Sequence, residues 1–84
     1  SINVLSDKQK KISNNFAKKN PSWNNIDYYV LKNGNPIINN GVSNLDCKVI
    51  EKIRKGDHLI FICKVIRATN NKFKPLIYFN SSYL

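Results

Sequence analysis

Gly56-Asp57-His58-Leu59-Ile60-Phe61-Ile62-Cys63-Lys64-Val65-Ile66 decides how this chain is read. A glycine turn hands over at once to a run of β-forming apolar residues, which predicts a turn entering a strand. The strand reads as His58 to Ile66 and, being apolar at nearly every position, is expected to be buried on both faces. The same stretch holds the only histidine of the 84 residues. Imidazole is the side chain whose ordinary pKa lies nearest neutrality, so any proton chemistry at neutral pH points here first. Taken alone, His58 equally suits a structural role beside a turn, with Asp57 shaping that turn.

Working upstream, Leu45, Cys47 and Val49 alternate with Asp46 and Lys48, the period of a half-buried strand. The alternation slips where Val49 and Ile50 are adjacent and Ile53 follows, which predicts a β-bulge near Glu51. Tyr28 to Leu31 and Pro36 to Ile38 flank Asn33-Gly34, a hairpin signal. Ile2 to Leu5 reads as a short strand. Ser6 and Gln9 have the spacing of a capping box, Asp7 suits the positive end of a helix dipole, and the helix is expected to reach about Lys19. Ile12 and Phe16 share its buried face. Downstream, Ala68 to Lys74 reads as a polar loop and Leu76 to Phe79 as the last strand. One helix and four or five strands at hairpin spacing imply a single mainly β domain, its antiparallel sheet curling towards a barrel.

Composition narrows the function. A chain of 84 residues buries about 60–65% of its unfolded surface, so its core is thin. The two cysteines cannot build a disulfide framework and read as buried free thiols in a reducing cytoplasm. With one histidine and no Cys-x-x-Cys, no closed zinc site is expected. No apolar run approaches the ~18 residues of a membrane span. The formal charge of +9 suits an anionic partner, or a lysine-rich surface that goes with the many asparagines as compositional background. Nucleic acid is the weaker reading, because the aromatics do not alternate with Lys or Arg on one strand face. No nucleophile elbow, Walker loop or dinucleotide fingerprint is present, so catalysis would draw on a bound cofactor.

Four motifs in order carry a resemblance. They are Asn3-Val4-Leu5-Ser6 with Gln9 and Phe16-Ala17; Leu45-x-Cys47; Gly56-Asp57-His58; and Pro75-Leu76-Ile77-Tyr78 closing with Tyr83. Together they resemble the C-terminal half of the flavin-reductase-like split barrels, which supply reduced flavin to two-component monooxygenases. The resemblance spans nearly the whole chain. It implies an antiparallel split β-barrel, of which residues 1–84 would form an incomplete half, and NAD(P)H-dependent reduction of FMN or FAD at a homodimer interface. His58 would then stand near flavin and nicotinamide, orienting and hydrogen bonding, with Asp57 orienting the imidazole or the turn. Asn3, Leu5 and Ser6 would reach the flavin, and Tyr78 and Tyr83 would border the dinucleotide. Gln9 reads as the capping partner and Phe16 as core, and Trp23 has no assigned role. Two departures stand out. Cys63 occupies a position where the family carries Gly, and members are about twice this length. A chain opening on Ser1 at a strand is therefore expected to lack an N-terminal half. The alternative is a non-catalytic dimerising remnant of the same fold.

Overall fold

The computed structural model describes residues 1–84. In chain order the elements are β1 (Ile2–Val4), α1 (Lys10–Phe16), β2 (Tyr28–Val30), β3 (Pro36–Ile38), β4 (Ser43–Lys55), β5 (His58–Asn70), β6 (Tyr78–Phe79) and β7 (Ser82–Tyr83). All pairings are antiparallel: a three-stranded sheet in the order β1-β4-β5, and the two hairpins β2-β3 and β6-β7. The fold is thus mainly β with one short helix, as the sequence implies, and its sheets do not close into a barrel.

The long β4-β5 hairpin is the frame. Lys55 pairs with His58 across the two-residue loop Gly56-Asp57. Gly56 takes φ +61°, which suits glycine at the first central position of a tight hairpin turn. Ile50 is skipped between Val49 and Glu51, which is the bulge expected near Glu51. A second shift, between Asp46 and Cys47, leaves Ile66 unpaired on β5. It went unread because Ile66 sits inside an apolar run whose phase carries no mark. β5 also continues to Asn70, through residues expected to be loop, because Ser43, Asn44 and Leu45 of β4 offer partners to Asn70, Thr69 and Ala68.

Two expectations are overturned. β5 is not buried on both faces: Leu59, Ile60, Phe61, Ile62, Val65 and Ile66 are between 40% and 56% exposed. β5 is the edge strand of its sheet, and no second layer of this chain lies over it. The cysteines are free but only half-buried. The helix is also shorter than expected, with Gln9 rather than Ser6 at its N-cap. Residues 5–7 are claimed by other pairings, since Ser6 bridges Pro75, the Asp7 N–H donates to Lys74 O, and the Leu76 N–H donates to Leu5 O. Tertiary pairing thereby overrides the local capping signal. Half of the capping geometry survives: the Ser6 N–H donates to Gln9 Oε1 at 2.9 Å.

Only seven residues are buried, and among them only Ile37 and Ile38 are large and apolar. Ser6, Gln9, Asn44 and Asp46 are the buried polar ones, and no buried side-chain polar atom lacks a partner. Asn44 Nδ2 donates to Asn3 Oδ1 (2.7 Å) and to Ile38 O (3.1 Å). Asn3 Oδ1 also accepts the Ile38 N–H at 3.0 Å. Gln9 Nε2 reaches Asn39 O at 2.8 Å. These amides fasten β1, β3, β4 and the start of α1 to one another.

Asp46 anchors the β2-β3 turn. It accepts from Asn35 Nδ2 at 2.7 Å and from Asn33 Nδ2 at 3.0 and 3.2 Å. The hydrogen bonds from Asn35 and then Asn33 lower its pKa, with a smaller contribution from the Arg67 charge, against a desolvation effect that raises it. A carboxylate with a depressed native pKa stabilises the fold above its unfolded value and loses that contribution as pH falls through the native one. Asp46→Asn turns an amide nitrogen towards two amide donors, so it is expected to be less stable than wild type at neutral pH. The gap should close as pH falls below the ordinary value of 3.8. Urea midpoints measured down to that range check this, and a pH-independent gap would contradict it.

Gly41 is needed for a close approach. A Cβ there would stand 2.8 Å from Val4 O, and that carbonyl is fixed by the Val42 N–H. Gly41→Ala is expected to cost about 1–3 kcal/mol, as overpacking against backbone does. Equilibrium denaturation measures it, and an unchanged midpoint would show that β1 yields.

Candidate functional site

β1 and Leu5 run beside α1, and their side chains meet it across a cavity of about 510 Å³. Leu5, Phe16, Trp23 and Ile38 give this cavity its apolar lining, while Ser1, Asn3 and Ser13 are its polar members. A volume of this order with few polar groups is ordinary for a cofactor pocket. A second cavity of about 580 Å³ adjoins the first along Ser13 of α1 and Ala17 at its C-terminal end, and is lined also by Asn14, Tyr78, Ser82 and Tyr83. The Tyr83 hydroxyl lies 2.7 Å from Ser13 Oγ and donates to Asn14 Oδ1 at 3.1 Å, holding the β6-β7 hairpin to the helix. Tyr78 packs edge-on against Tyr83, with centroids 5.2 Å apart.

Four of the residues singled out in the sequence therefore gather around one helix: Asn3 and Leu5 at the first cavity, Tyr78 and Tyr83 at the second. Their freedom to act differs. Asn3 commits its Oδ1 to Ile38 and Asn44 and its Nδ2 to Ser1 and Pro36, so its amide is engaged in the fold. Ser6 lies apart, buried at 4% exposure, and with Gln9 it lines a different, polar cavity. A phosphate at the start of the helix finds little support. α1 is only seven residues long, and the Ser6 N–H that precedes it is already taken by Gln9.

His58 and Asp57 are elsewhere. They occupy the tip of the β4-β5 hairpin with side chains 83% and 94% exposed, and the imidazole Nε2 lies 3.5 Å from Asp57 Oδ1. So exposed a pair contributes little to stability. β1 pairs with Ser43–Leu45, ten residues from Lys55 at the tip. The tip residues line neither α1 cavity, whereas reacting groups must come within about 3–3.5 Å. Within one chain, His58 and the α1 cavities do not form a common site. Cys63 lies on β5 opposite Val49, with Cys47 opposite Val65 two positions along.

Trp23 was the member that sequence reasoning left without a place. Its ring packs against Phe16 (centroids 5.0 Å, edge-on) and Tyr28 (4.5 Å, tilted). The signal was available: a lone tryptophan in a polar loop, seven residues after a helical Phe, is unusual enough to mark a wall.

The family profile described as the flavin reductase like domain matches residues 1–84. The chain belongs to that family. Among curated relatives, the FMN reductase (NADH) RutF of Pantoea ananatis is 34% identical over 98% of this chain and 45% of its own length. The reductase component of a flavin-dependent trigonelline monooxygenase from Acinetobacter baylyi is 32% identical over 98% of this chain and 27% of its own. The structure of the NADH:FAD oxidoreductase SgcE6 from Streptomyces globisporus, in complex with NAD and FAD fragments, superposes with a TM-score of 0.89 at 26% identity. The match covers 98% of this chain and 52% of that one. The chain thus spans about half the length, or less, of the curated relatives it matches. No helix is long and apolar enough to cross a membrane.

The α1 cavities offer a direct check on the family member's site. Tyr83→Phe removes the hydroxyl that joins β7 to Ser13 and Asn14, leaving the ring in place. It is expected to loosen residues 78–84 at a cost of about 1 kcal/mol. Hydrogen exchange at the Leu84 amide, which donates to Ile77 O, reports it; unchanged protection would show that the ring alone holds the hairpin.

Proposed function

We propose that this chain takes part in reduction of FMN or FAD by a nicotinamide dinucleotide, NADH by preference over NADPH, and delivers reduced flavin to an oxygenase component. The observation that carries this reading is the gathering of Asn3, Leu5, Tyr78 and Tyr83 at two adjoining cavities beside α1 in a chain matched end to end by the flavin reductase like family. The names of the relatives support the assignment of cofactors: FMN with NADH for one, FAD with NADH for another, and a monooxygenase reductase component for a third.

The chain's own residues would divide the work. Leu5, Phe16 and Ile38 supply an apolar bed, and Ser1 and Ser13 supply hydroxyls at its polar side. Tyr78 and Tyr83 border the second cavity, where a dinucleotide would lie. The chemistry a bound flavin supplies is acceptance of hydride from a reduced nicotinamide. His58 has no task within its own chain, so its role is met when a second subunit, or the part of the relatives' length that this chain does not span, completes a site at the hairpin tip, with Asp57 orienting the ring. A homodimer fits this need, and it also fits the exposed apolar faces of β5, which would be costly to leave in water. Two free thiols suit the reducing cytoplasm.

Flavin titration followed by NADH consumption tests the reading. Wild type is expected to quench flavin fluorescence and to oxidise NADH only when flavin is present. His58→Ala is expected to raise KM for NADH about tenfold with a smaller change in flavin affinity. Failure to bind flavin together with failure to oxidise NADH would leave the non-catalytic, dimerising alternative.

A further inference from the structure

We propose that the indole of Trp23 is the stacking wall for the isoalloxazine ring in the cavity beside α1, where the apolar lining favours a flavin ring over an adenine. This rests on the flavin reading above and adds to it a residue and a mode of recognition.

The loop around Trp23 is built to hold the ring still. Asn15 Nδ2 donates to Ser22 O at 2.7 Å and Asn15 Oδ1 accepts the Ser22 N–H at 3.1 Å, clamping the residue before Trp23 to α1. The Asn24 N–H donates to Ser22 Oγ and the Ile26 N–H to Trp23 O, while Asn25 takes φ +62°, a left-handed conformation that Asn tolerates. Phe16 and Tyr28 support the indole at 5.0 and 4.5 Å. Even so, Trp23 is 38% exposed and lines the cavity. An aromatic face immobilised in advance loses little entropy when a second ring stacks on it.

The lining of the cavity is mostly apolar, from Leu5, Phe16, Trp23 and Ile38, with Ser1, Asn3 and Ser13 as its polar members. An isoalloxazine is mixed in the same way, a dimethylbenzene part joined to a hydrogen-bonding pyrimidine part. Adenine is polar around its whole rim and would leave ring nitrogens against the Leu5 and Ile38 side chains without partners, which is costly.

Lumiflavin, which is the ring alone, AMP and FMN are the probes, with affinity read from flavin fluorescence rather than from tryptophan quenching, since energy transfer acts beyond contact. Trp23→Ala is expected to weaken lumiflavin and FMN about tenfold and Trp23→Phe to restore most of it. Ala17→Leu, which fills the cavity from the helix and leaves the indole intact, is expected to weaken lumiflavin at least as much and serves if Trp23→Ala unfolds. AMP in excess should not displace lumiflavin. Full-strength flavin binding by Trp23→Ala or by Ala17→Leu overturns the wall and leaves the flavin reading standing. Displacement by AMP assigns the cavity to adenine and also overturns it. Absence of flavin binding by wild type removes the flavin reading and the wall together.

Discussion

A pair of amides, the half-buried Asn3 and the buried Asn44, holds this structure together. Asn3 Oδ1 accepts both from Asn44 Nδ2 and from the Ile38 backbone, so one oxygen joins β1, β3 and β4. Thr69 Oγ1 donates to Asn44 Oδ1 at 3.3 Å and brings in β5. In a larger domain that work falls to apolar packing, but here only Ile37 and Ile38 are large apolar residues shielded from water. A satisfied polar network differs from an apolar core in being directional: each donor meets one acceptor, and register follows. Removing either amide would leave buried partners unpaired, a penalty larger than the bond's own net contribution.

That constraint separates the protein into two zones. Around Asn3, Asn44 and Gln9 the short elements are pinned and every polar group is met. Beyond the bulge at Ile50, the β4-β5 hairpin carries apolar side chains on both faces with no second layer. Lys52 over the Phe61 ring, 5.9 Å from its centroid, is a minor cover. The two zones have opposite needs. One is complete in itself. The other presents an edge strand of 13 residues, far longer and more apolar than an isolated sheet tolerates in water.

The division also explains what could be read from sequence. The hairpins at Asn33-Gly34 and Gly56-Asp57 and the bulge at Ile50 depend on local rules, glycine's positive φ and the two-residue period, and were legible. The helix start was not, because Ser6 and Asp7 pair with Pro75 and Lys74 from the far end of the chain. The burial of β5 was misread for a related reason: an apolar run shows that a strand is coverable, not what covers it. The asparagines were read as compositional background, yet Asn3, Asn33, Asn35, Asn39 and Asn44 each take part in the hydrogen bonds that fasten the hairpins. Composition hides such roles, because an amide becomes structural only when a distant partner faces it. Of the residues that line the α1 cavities, Leu5, Tyr78 and Tyr83 are singled out by motif order, while Trp23 escapes because its ring contacts are brought together only by folding.

Placement of His58 follows from the same two zones. The α1 cavities belong to the pinned zone, and their shape is fixed by bonds internal to the chain. His58 belongs to the uncovered zone, at the end of a twisted hairpin whose direction is set by two bulges. A residue of this kind gains a role only through whatever covers the hairpin, so covering the apolar faces and completing a site around the imidazole are the same event. Burying the β5 faces would favour association through the hydrophobic effect, and the direction of the hairpin would decide which surface receives His58. On the proposed function, stability and catalysis would then be linked: any change that weakens the cover of Leu59, Phe61 or Ile62 should also withdraw the imidazole from the site proposed for it.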